Sequence, residues 1–306
     1  MSDLDLVVIG AGVAGLTAAI FAARHGLKVA VVERMAPGGQ IVNADVIENF
    51  PGFPSGIGGH ELGPLIAEHA EAAGAELALD AVEAIELAGH DRIVRGAAAT
   101  WRARAVILAA GSTPRALGIP GEERLRGKGV SHCATCDGPL FAAQDVGVIG
   151  GGDSALDEAL VLARHAARVM VFHRGANLDA QRALQDRAAA TRNIEICLGA
   201  SVEEILGQAA VTGVRLRTAG APASRTLDLR GIFIQVGLEP NTQFLRGMLK
   251  LDPMGHIETD IMLRTSVEGI FAAGDIRAHS VAQLAAAAGD GATAALAAFR
   301  YLQERR

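Results

Sequence analysis

The sequence predicts an α/β fold of two Rossmann-like, three-layer dinucleotide-binding domains, the second inserted into the first. Three observations carry this expectation. An apolar run, a glycine-rich turn and a helical pattern open the chain, the same pattern returns near its middle, and Pro/Gly breaks bracket that second copy. At 306 residues the chain is long enough for two domains of ordinary size.

Each element follows from its own residues. Leu4 to Ile9 is an apolar run of strand length, and Val13, Leu16, Ala19, Ile20 and Ala23 recur at helical spacing until Gly26 stops the helix. A second apolar run, Lys28 to Val32, completes a βαβ unit. Pro37-Gly38-Gly39 and Pro51 to Gly59 read as loop, Glu61 to Ala73 as helix, and short alternating strands end in Ala105 to Ala109. Gly111-Ser112-Thr113-Pro114 then breaks the chain, so a hinge is expected near residue 115. Asp145 to Ile149 reads as a strand and Gly150-Gly151-Gly152 as a turn. A helix with Ala155, Leu156, Ala159, Leu160 and Leu162 and a strand from Arg168 to Phe172 complete the second unit. Setting Gly10 on Gly150 sets Glu33 on His173, each 23 residues past its glycine. Later strands end in Gly231 to Val236, and Gly237 to Asn241 reads as a second hinge. Ile270 to Ala273 and an Ala-rich helix from about Gln283 to Leu302 close the chain. The expected domains are therefore residues 1–114 with 241–306, and residues 115–240.

Composition excludes several classes. Half the residues are apolar and a fifth are charged, which rules out disordered, collagen-like and disulfide-scaffold chains. With 28 Lys+Arg against 34 Asp+Glu and no long run of one sign, neither nucleic acid nor an anionic membrane is expected as a partner. Cys133, Cys136 and Cys197 are too few for a secreted framework, so a cytoplasmic location is expected. The apolar stretch Leu6 to Ala23 follows Asp3 and Asp5 instead of basic residues and holds three glycines, so it reads as a folded element and not a leader. No segment offers the ~20 uncharged residues of a membrane span.

Gly10-Ala11-Gly12-Val13-Ala14-Gly15 follows a strand, opens a helix and precedes an acid, Glu33, at the end of the next strand. In that context Gly10 permits the turn, Gly12 admits a pyrophosphate and Gly15 allows close helix–strand packing, while Glu33 suits a ribose hydroxyl pair. Gly150-Gly151-Gly152-Asp153-Ser154-Ala155 is a second fingerprint, but His173-Arg174 stands where the acid should be. Cations there point to a 2′-phosphate, so two different dinucleotides are expected. Cys133-Ala134-Thr135-Cys136 can close a small reactive disulfide, and Asp137 beside it can move the accompanying proton. Zinc is the competing reading, but a closed tetrahedral site needs four ligands and only His132 and Cys197 could join the pair. Haem attachment requires a His after the second Cys, and here it precedes the first. Cys197 reads as a small buried apolar residue.

With Gly38-Gly39-Gln40, Glu48-Asn49-Phe50-Pro51-Gly52-Phe53-Pro54 and Gly274-Asp275, these motifs resemble, in order, those of the low-molecular-weight thioredoxin reductases. These are FAD-dependent pyridine nucleotide-disulfide oxidoreductases, and the resemblance runs from about Leu6 to Leu302. It implies FAD held by Gly10, Gly12, Gly15, Glu33, Gly39, Gln40, Asn49, Gly111, Gly274, Asp275 and Gln283. It implies NADPH or NADH in the inserted domain at Gly150, Gly152, Asp153, Ser154, Ala155, His173 and Arg174. Hydride then passes from nicotinamide to flavin, and the flavin reduces the Cys133–Cys136 disulfide with Asp137 as proton donor and acceptor. Cys136 faces the flavin, and Cys133 attacks the disulfide of thioredoxin or a thioredoxin-like protein. A homodimer whose domains rotate between half-reactions is also implied. The N-terminus of the last helix, near Gln283, would set a positive dipole beside the reduced flavin.

Two departures bear on this resemblance. Relatives using NADPH carry His-Arg-Arg followed by Phe-Arg-Ala, whereas this chain reads His173-Arg174-Gly175 and then Leu178-Asp179-Ala180. Asp179 would repel a 2′-phosphate, which makes NADH a candidate donor; the stretch Gln185-Asp186-Arg187 is also similar to an NADH-using flavoprotein partner of peroxiredoxins. Ala282 replaces an Arg usual before Gln283. The damaged basic cluster leaves an FAD-dependent dithiol oxidase, or a reductase using a donor or acceptor other than NADPH, as the alternative. A flavin-binding regulatory module would have little use for Asp137, and a ferredoxin-linked reductase of this architecture without cysteines is disfavoured by the pair itself.

Overall fold

The computed structural model describes residues 3–245 and 247–305. Contacts divide the chain into two compact units, one of residues up to Thr113 together with those from Glu239 onward, the other Pro114–Leu238.

In chain order the first unit begins with β1 (Asp3–Ile9), α1 (Val13–Arg24), β2 (Val29–Glu33), α2 (Gly59–Ala72), β3 (Glu76–Leu79), β4 (Val82–Ala88), β5 (Asp91–Gly96) and β6 (Thr100–Leu108). A short strand, β7 (Ser112–Pro114), leads out of it. The second unit holds β8 (Val130–Ser131), α3 (Ala134–Asp137), β9 (Asp145–Ile149), α4 (Asp153–Leu162), β10 (Arg168–His173), α5 (Arg182–Ala190) and β11 (Ile194–Leu198). It continues through β12 (Ala200–Gly207), β13 (Val211–Thr218), β14 (Arg225–Asp228) and β15 (Gly231–Ile234). After β16 (Leu238–Pro240) the first unit is completed by β17 (Ile270–Ala272) and α6 (Leu284–Gln303).

The first sheet runs β3-β2-β1-β6-β5-β4, with β17 also on β6. Its β1, β2, β3, β6 and β17 pairings are parallel, while β4, β5 and β6 form an antiparallel meander. Because side chains alternate along a strand, Leu6 and Val8 face one side and Val7 and Ile9 the other, and all four are buried. That double burial explains why β1 reads as an unbroken apolar run. Leu6 and Val8 pack with Leu16 of α1 and Ala294 and Ala298 of α6, whereas Val7 and Ile9 pack with Leu245, Leu249 and Ile257. The two helices approach closely because a Cβ at Gly291 of α6 would strike the Ala14 carbonyl of α1.

The second unit has a parallel sheet, β11-β10-β9-β15-β8. One face is covered by α4 and α5 through Leu156, Leu162, Leu184 and Ala188. Its other face meets an antiparallel sheet, β12-β13-β14, through Val202, Ile205, Val214 and Leu216. The third layer is thus strand, not helix, a feature that short half-apolar segments leave open in the sequence. Element limits otherwise agree with the sequence reading to within two residues, as with β15, which ends at Ile234 instead of Val236. No helix among the described residues is long and apolar enough to cross a membrane.

Candidate active site

The first unit gathers residues far apart in sequence around the end of β1. Gly10 has φ +102°, and a Cβ there would lie 2.7 Å from the Ala109 carbonyl carbon. Gly12 caps α1 with no side-chain hydrogen bond to the helix N-terminus, and a Cβ there would meet nothing within 4 Å. The result is a bare helix N-terminus beside open space, which fits a pyrophosphate. Gly39 reaches the same place from its own loop, where a Cβ would sit 2.9 Å from the Gly12 Cα. Gly15 is needed for the turn to close on itself, since a Cβ there would strike the Gly10 carbonyl.

Glu33, at the end of β2, accepts the Ala11 N–H at 2.8 Å through Oε2 and the Met35 N–H at 3.0 Å through Oε1. The carboxylate therefore braces the glycine turn, and each oxygen keeps a lone pair for a ribose hydroxyl. Gln40 Nε2 donates to the Ser112 carbonyl at 2.8 Å, and Asn49 Nδ2 donates to Gln283 Oε1 at 3.0 Å. Gln283 itself caps α6 without a side-chain bond to that helix. Beside Gly111, the buried Ser112 hydroxyl has no hydrogen-bond partner, an acceptor and donor left for a bound group. Asp275 accepts the Ser280 hydroxyl at 2.9 Å. Ala282 adopts a left-handed conformation, φ +49°, just ahead of α6; nothing in the structure explains the loss of an arginine there.

One supporting pair escapes the sequence reading. Asp290 accepts the Gly274 N–H at 3.0 Å and holds the mostly buried Arg277 guanidinium in two bonds of 2.6 and 2.9 Å. In sequence, Gly289-Asp290-Gly291 is only an interruption of an Ala-rich helix. Asp290→Ala is expected to cost about 3 kcal/mol in urea denaturation, because it strands a buried cation and a backbone donor at once.

The second unit builds a similar turn. Gly150 packs under α4, where a Cβ would meet that of Ala155 at 2.9 Å, and Gly152 caps α4 with open space beside it. Asp153 does not stand free: its Oδ1 accepts the Gln181 N–H at 2.7 Å and its Oδ2 the Gln181 Nε2 at 2.6 Å. Gly151 O accepts from Asp179 N at 2.8 Å and Ala180 N at 3.1 Å. These bonds bring the 173–181 loop against the turn. The His173 ring lies against Gly151 and Gly175, and the exposed Asp179 carboxylate is 4.0 Å from its Nε2. Ser154 and Arg174 are exposed, and Arg174 makes no ion pair among the described residues.

Cys133 and Cys136 form a disulfide with their Cα atoms 5.4 Å apart. Cys133 caps α3: its Sγ accepts the Cys136 N–H at 3.1 Å, and its own N–H donates to Ser131 Oγ at 3.1 Å. Cys136 is exposed, Cys133 and Asp137 are half-buried, and Ala134 between the sulfurs is fully buried. His132 points its Nδ1 at the Ile234 carbonyl, 2.9 Å away. Among the described residues no three His, Cys, Asp or Glu are placed to hold a metal. Cys197 is half-buried on β11, less enclosed than its sequence suggests, and burial pushes its thiol pKa up, with Glu195 adding to the effect.

A family model for the pyridine nucleotide-disulphide oxidoreductases matches residues 4–292. The chain belongs to that family. Similar curated members include the thioredoxin reductase of Streptomyces coelicolor, 43% identical over 306 residues and matched over 99% of this chain and 95% of its own. That of Mycolicibacterium smegmatis is 42% identical over 302 residues, 98% of this chain and 97% of its own. Among solved oxidoreductase structures, Lactococcus lactis thioredoxin reductase superposes with a TM-score of 0.96 at 39% identity, covering 98% of this chain and 99% of that one. The T. acidophilum thioredoxin reductase gives 0.95 at 36%, covering all of both chains.

A further residue of this oxidoreductase is invisible to motif reading. Glu158, on α4, accepts the Ala134 N–H from the cysteine turn. Burial pushes its carboxyl up to about 7; the Ala134 bond opposes that, and Asp157 and Asp137 reinforce it. Since folding raises this pKa, the group's contribution to stability is present below the ordinary Glu range and is lost as pH rises to about 7. Glu158→Gln is therefore expected to be more stable than the wild type above neutral pH and no more stable in acid, as read by urea denaturation across pH.

Proposed function

We propose that this oxidoreductase is a thioredoxin reductase, passing two electrons from NADPH or NADH through FAD and the Cys133–Cys136 disulfide to thioredoxin or a thioredoxin-like protein. The observation that carries the reading is the Cys133–Cys136 disulfide, followed directly by Asp137, in a unit that also holds a dinucleotide turn. Whole-length similarity to thioredoxin reductases supports it.

Residues 1–114 with 241–306 form the FAD-binding domain, and residues 115–240 the nicotinamide domain with the redox pair. The bare N-termini of α1 and α6, the braced Glu33 and the unpartnered Ser112 hydroxyl suit FAD. Gly10, Gly12, Gly15, Gly39, Gln40, Asn49, Gly111, Gly274, Asp275 and Gln283 complete that set. When bound, FAD supplies the two-electron chemistry that links nicotinamide to disulfide. Gly150, Gly152, Asp153, Ser154, Ala155, His173 and Arg174 hold the nicotinamide dinucleotide, with Asp153 acting by fixing Gln181. Once reduced, Cys133 attacks the partner's disulfide to form a mixed disulfide. Cys136 then displaces the partner's remaining sulfur and re-forms the ring. Asp137 delivers and removes the protons of these steps. A cytoplasmic homodimer completes the proposal.

The donor follows from local charge. The Asp179 carboxylate beside His173 opposes a 2′-phosphate, which favours NADH. The test of the whole reading is an anaerobic titration of flavin absorbance with each nucleotide, followed by addition of oxidised thioredoxin. Bleaching by a nucleotide and stoichiometric appearance of thioredoxin thiols are expected. If only a small dithiol bleaches the flavin, the dithiol oxidase takes its place.

A further inference from the structure

Glu158 joins the helix that opens the second dinucleotide turn to the turn that carries both cysteines. Its Oε2 accepts the N–H of Ala134, the buried residue between Cys133 and Cys136. No Lys, Arg or His forms an ion pair with it among the described residues. Among the described residues, the charged groups that raise its carboxyl pKa are Asp157 on its own helix, which has a partner of its own, and Asp137 from the cysteine turn. On the strands beside α4, Asp145 and Arg168 satisfy each other at 2.7 Å, and on α5 Arg182 and Asp186 do so at 2.8 Å. The His165 ring, in the turn after α4, lies against Gly138. A half-buried carboxylate with acidic neighbours and no neutralising cation is costly to keep ionised. Packing alone would be better served by a neutral side chain.

We propose that Glu158 is a positioning residue of the redox turn and that its carboxyl takes up a proton when the Cys133–Cys136 disulfide is reduced. This rests on the reading of that disulfide as the redox pair. Reduction breaks the S–S bond and brings in two electrons, supplied in turnover by the nucleotide through the flavin. One proton joins one sulfur, the other sulfur remains a thiolate, and a second proton is held on Glu158. Atoms and charge then balance as two electrons and two protons. The thiolate adds negative charge to a turn that already holds Asp137 and is touched by Glu158, so protonation of Glu158 relieves the repulsion. A carboxyl pushed up to about 7 responds to such a change at neutral pH. Oxidation by the partner disulfide reverses the step and releases the proton. Asp137 remains the group that serves the partner's sulfur.

The test equilibrates the FAD-loaded enzyme in glutathione redox buffers just above neutral pH, counts thiols by alkylation and records reduced-minus-oxidised infrared spectra. The wild type is expected to gain the C=O band of a protonated carboxylic acid on reduction, and Glu158→Gln to lack it. The glutathione equilibrium of Glu158→Gln, which binds one proton fewer on reduction, shifts toward dithiol by up to roughly tenfold more per pH unit than that of the wild type. Glutamine keeps an acceptor for Ala134, so a purely structural Glu158 would leave both readings unchanged, and that result overturns the proton uptake. Glu158→Ala is expected to speed hydrogen exchange at the Ala134 amide, and unchanged exchange overturns the positioning role. Retained flavin absorbance reports that each variant is folded. Neither reading needs nucleotide turnover, so failure here is distinct from failure of the reductase assignment, which would show as flavin that no nucleotide bleaches.

Discussion

Cys133→Ser and Cys136→Ser are each expected to lower thioredoxin reduction by at least about a thousandfold, while NADPH or NADH still bleaches the flavin. A serine hydroxyl cannot close the bond with the remaining sulfur, so the two electrons have no disulfide to enter. The glycine turns proposed to hold the two dinucleotides lie outside α3 and are untouched by either change. Stopped-flow flavin absorbance and a thioredoxin-coupled thiol assay on the same preparations separate the two half-reactions. Substantial thioredoxin reduction by Cys136→Ser would mean that electrons leave the flavin by another route, and the assignment of the pair would fall.

The second large effect concerns the donor. Wild-type enzyme is expected to prefer NADH, and Asp179→Arg to move the ratio of kcat/KM for NADPH over NADH upward by about ten- to a hundredfold. That range corresponds to a charged hydrogen bond of about 1.5–3 kcal/mol at a 2′-phosphate. Asp179 is exposed and 4.0 Å from His173 Nε2, so the change replaces repulsion with attraction at little packing cost. Restoring an arginine at Gly175 is a poorer route, because a Cβ there would lie 2.5 Å from His173 Nε2 and displace the ring. Binding of adenosine 2′,5′-bisphosphate against adenosine 5′-phosphate, measured by calorimetry, checks the same point without turnover. A wild type that prefers NADPH would show that His173 and Arg174 suffice and that Asp179 is indifferent.

Much of the site is legible in the sequence because its logic is local. Gly10 to Gly15 and Gly150 to Ala155 announce a strand, a turn and a helix within a dozen residues, and Glu33 is found by counting along one βαβ unit. The Cys133–Cys136 pair is likewise legible, since two residues one helical turn apart come within disulfide reach once the segment between them turns, as α3 does here. Asp290 and Glu158 are different. Each is an acidic residue on a helix with no motif around it, and its role depends on which backbone N–H lies opposite.

The sequence by itself therefore determined the α/β class, the two nucleotide turns, the redox pair and the charge reversal at Asp179. The class, the turns and the pair follow from spacing within short local segments, where covalent geometry limits the outcomes, whereas the charge reversal follows from the resemblance to NADPH-using relatives. Only the tertiary structure decided that an antiparallel sheet forms the third layer of the second unit and that Asp153 is committed to Gln181. It also decided that Arg277 is held by Asp290 and that Ala134 is held by Glu158. Those contacts join segments 13 to 28 residues apart, where chain spacing no longer constrains distance and the packing of helices on a sheet selects the partners.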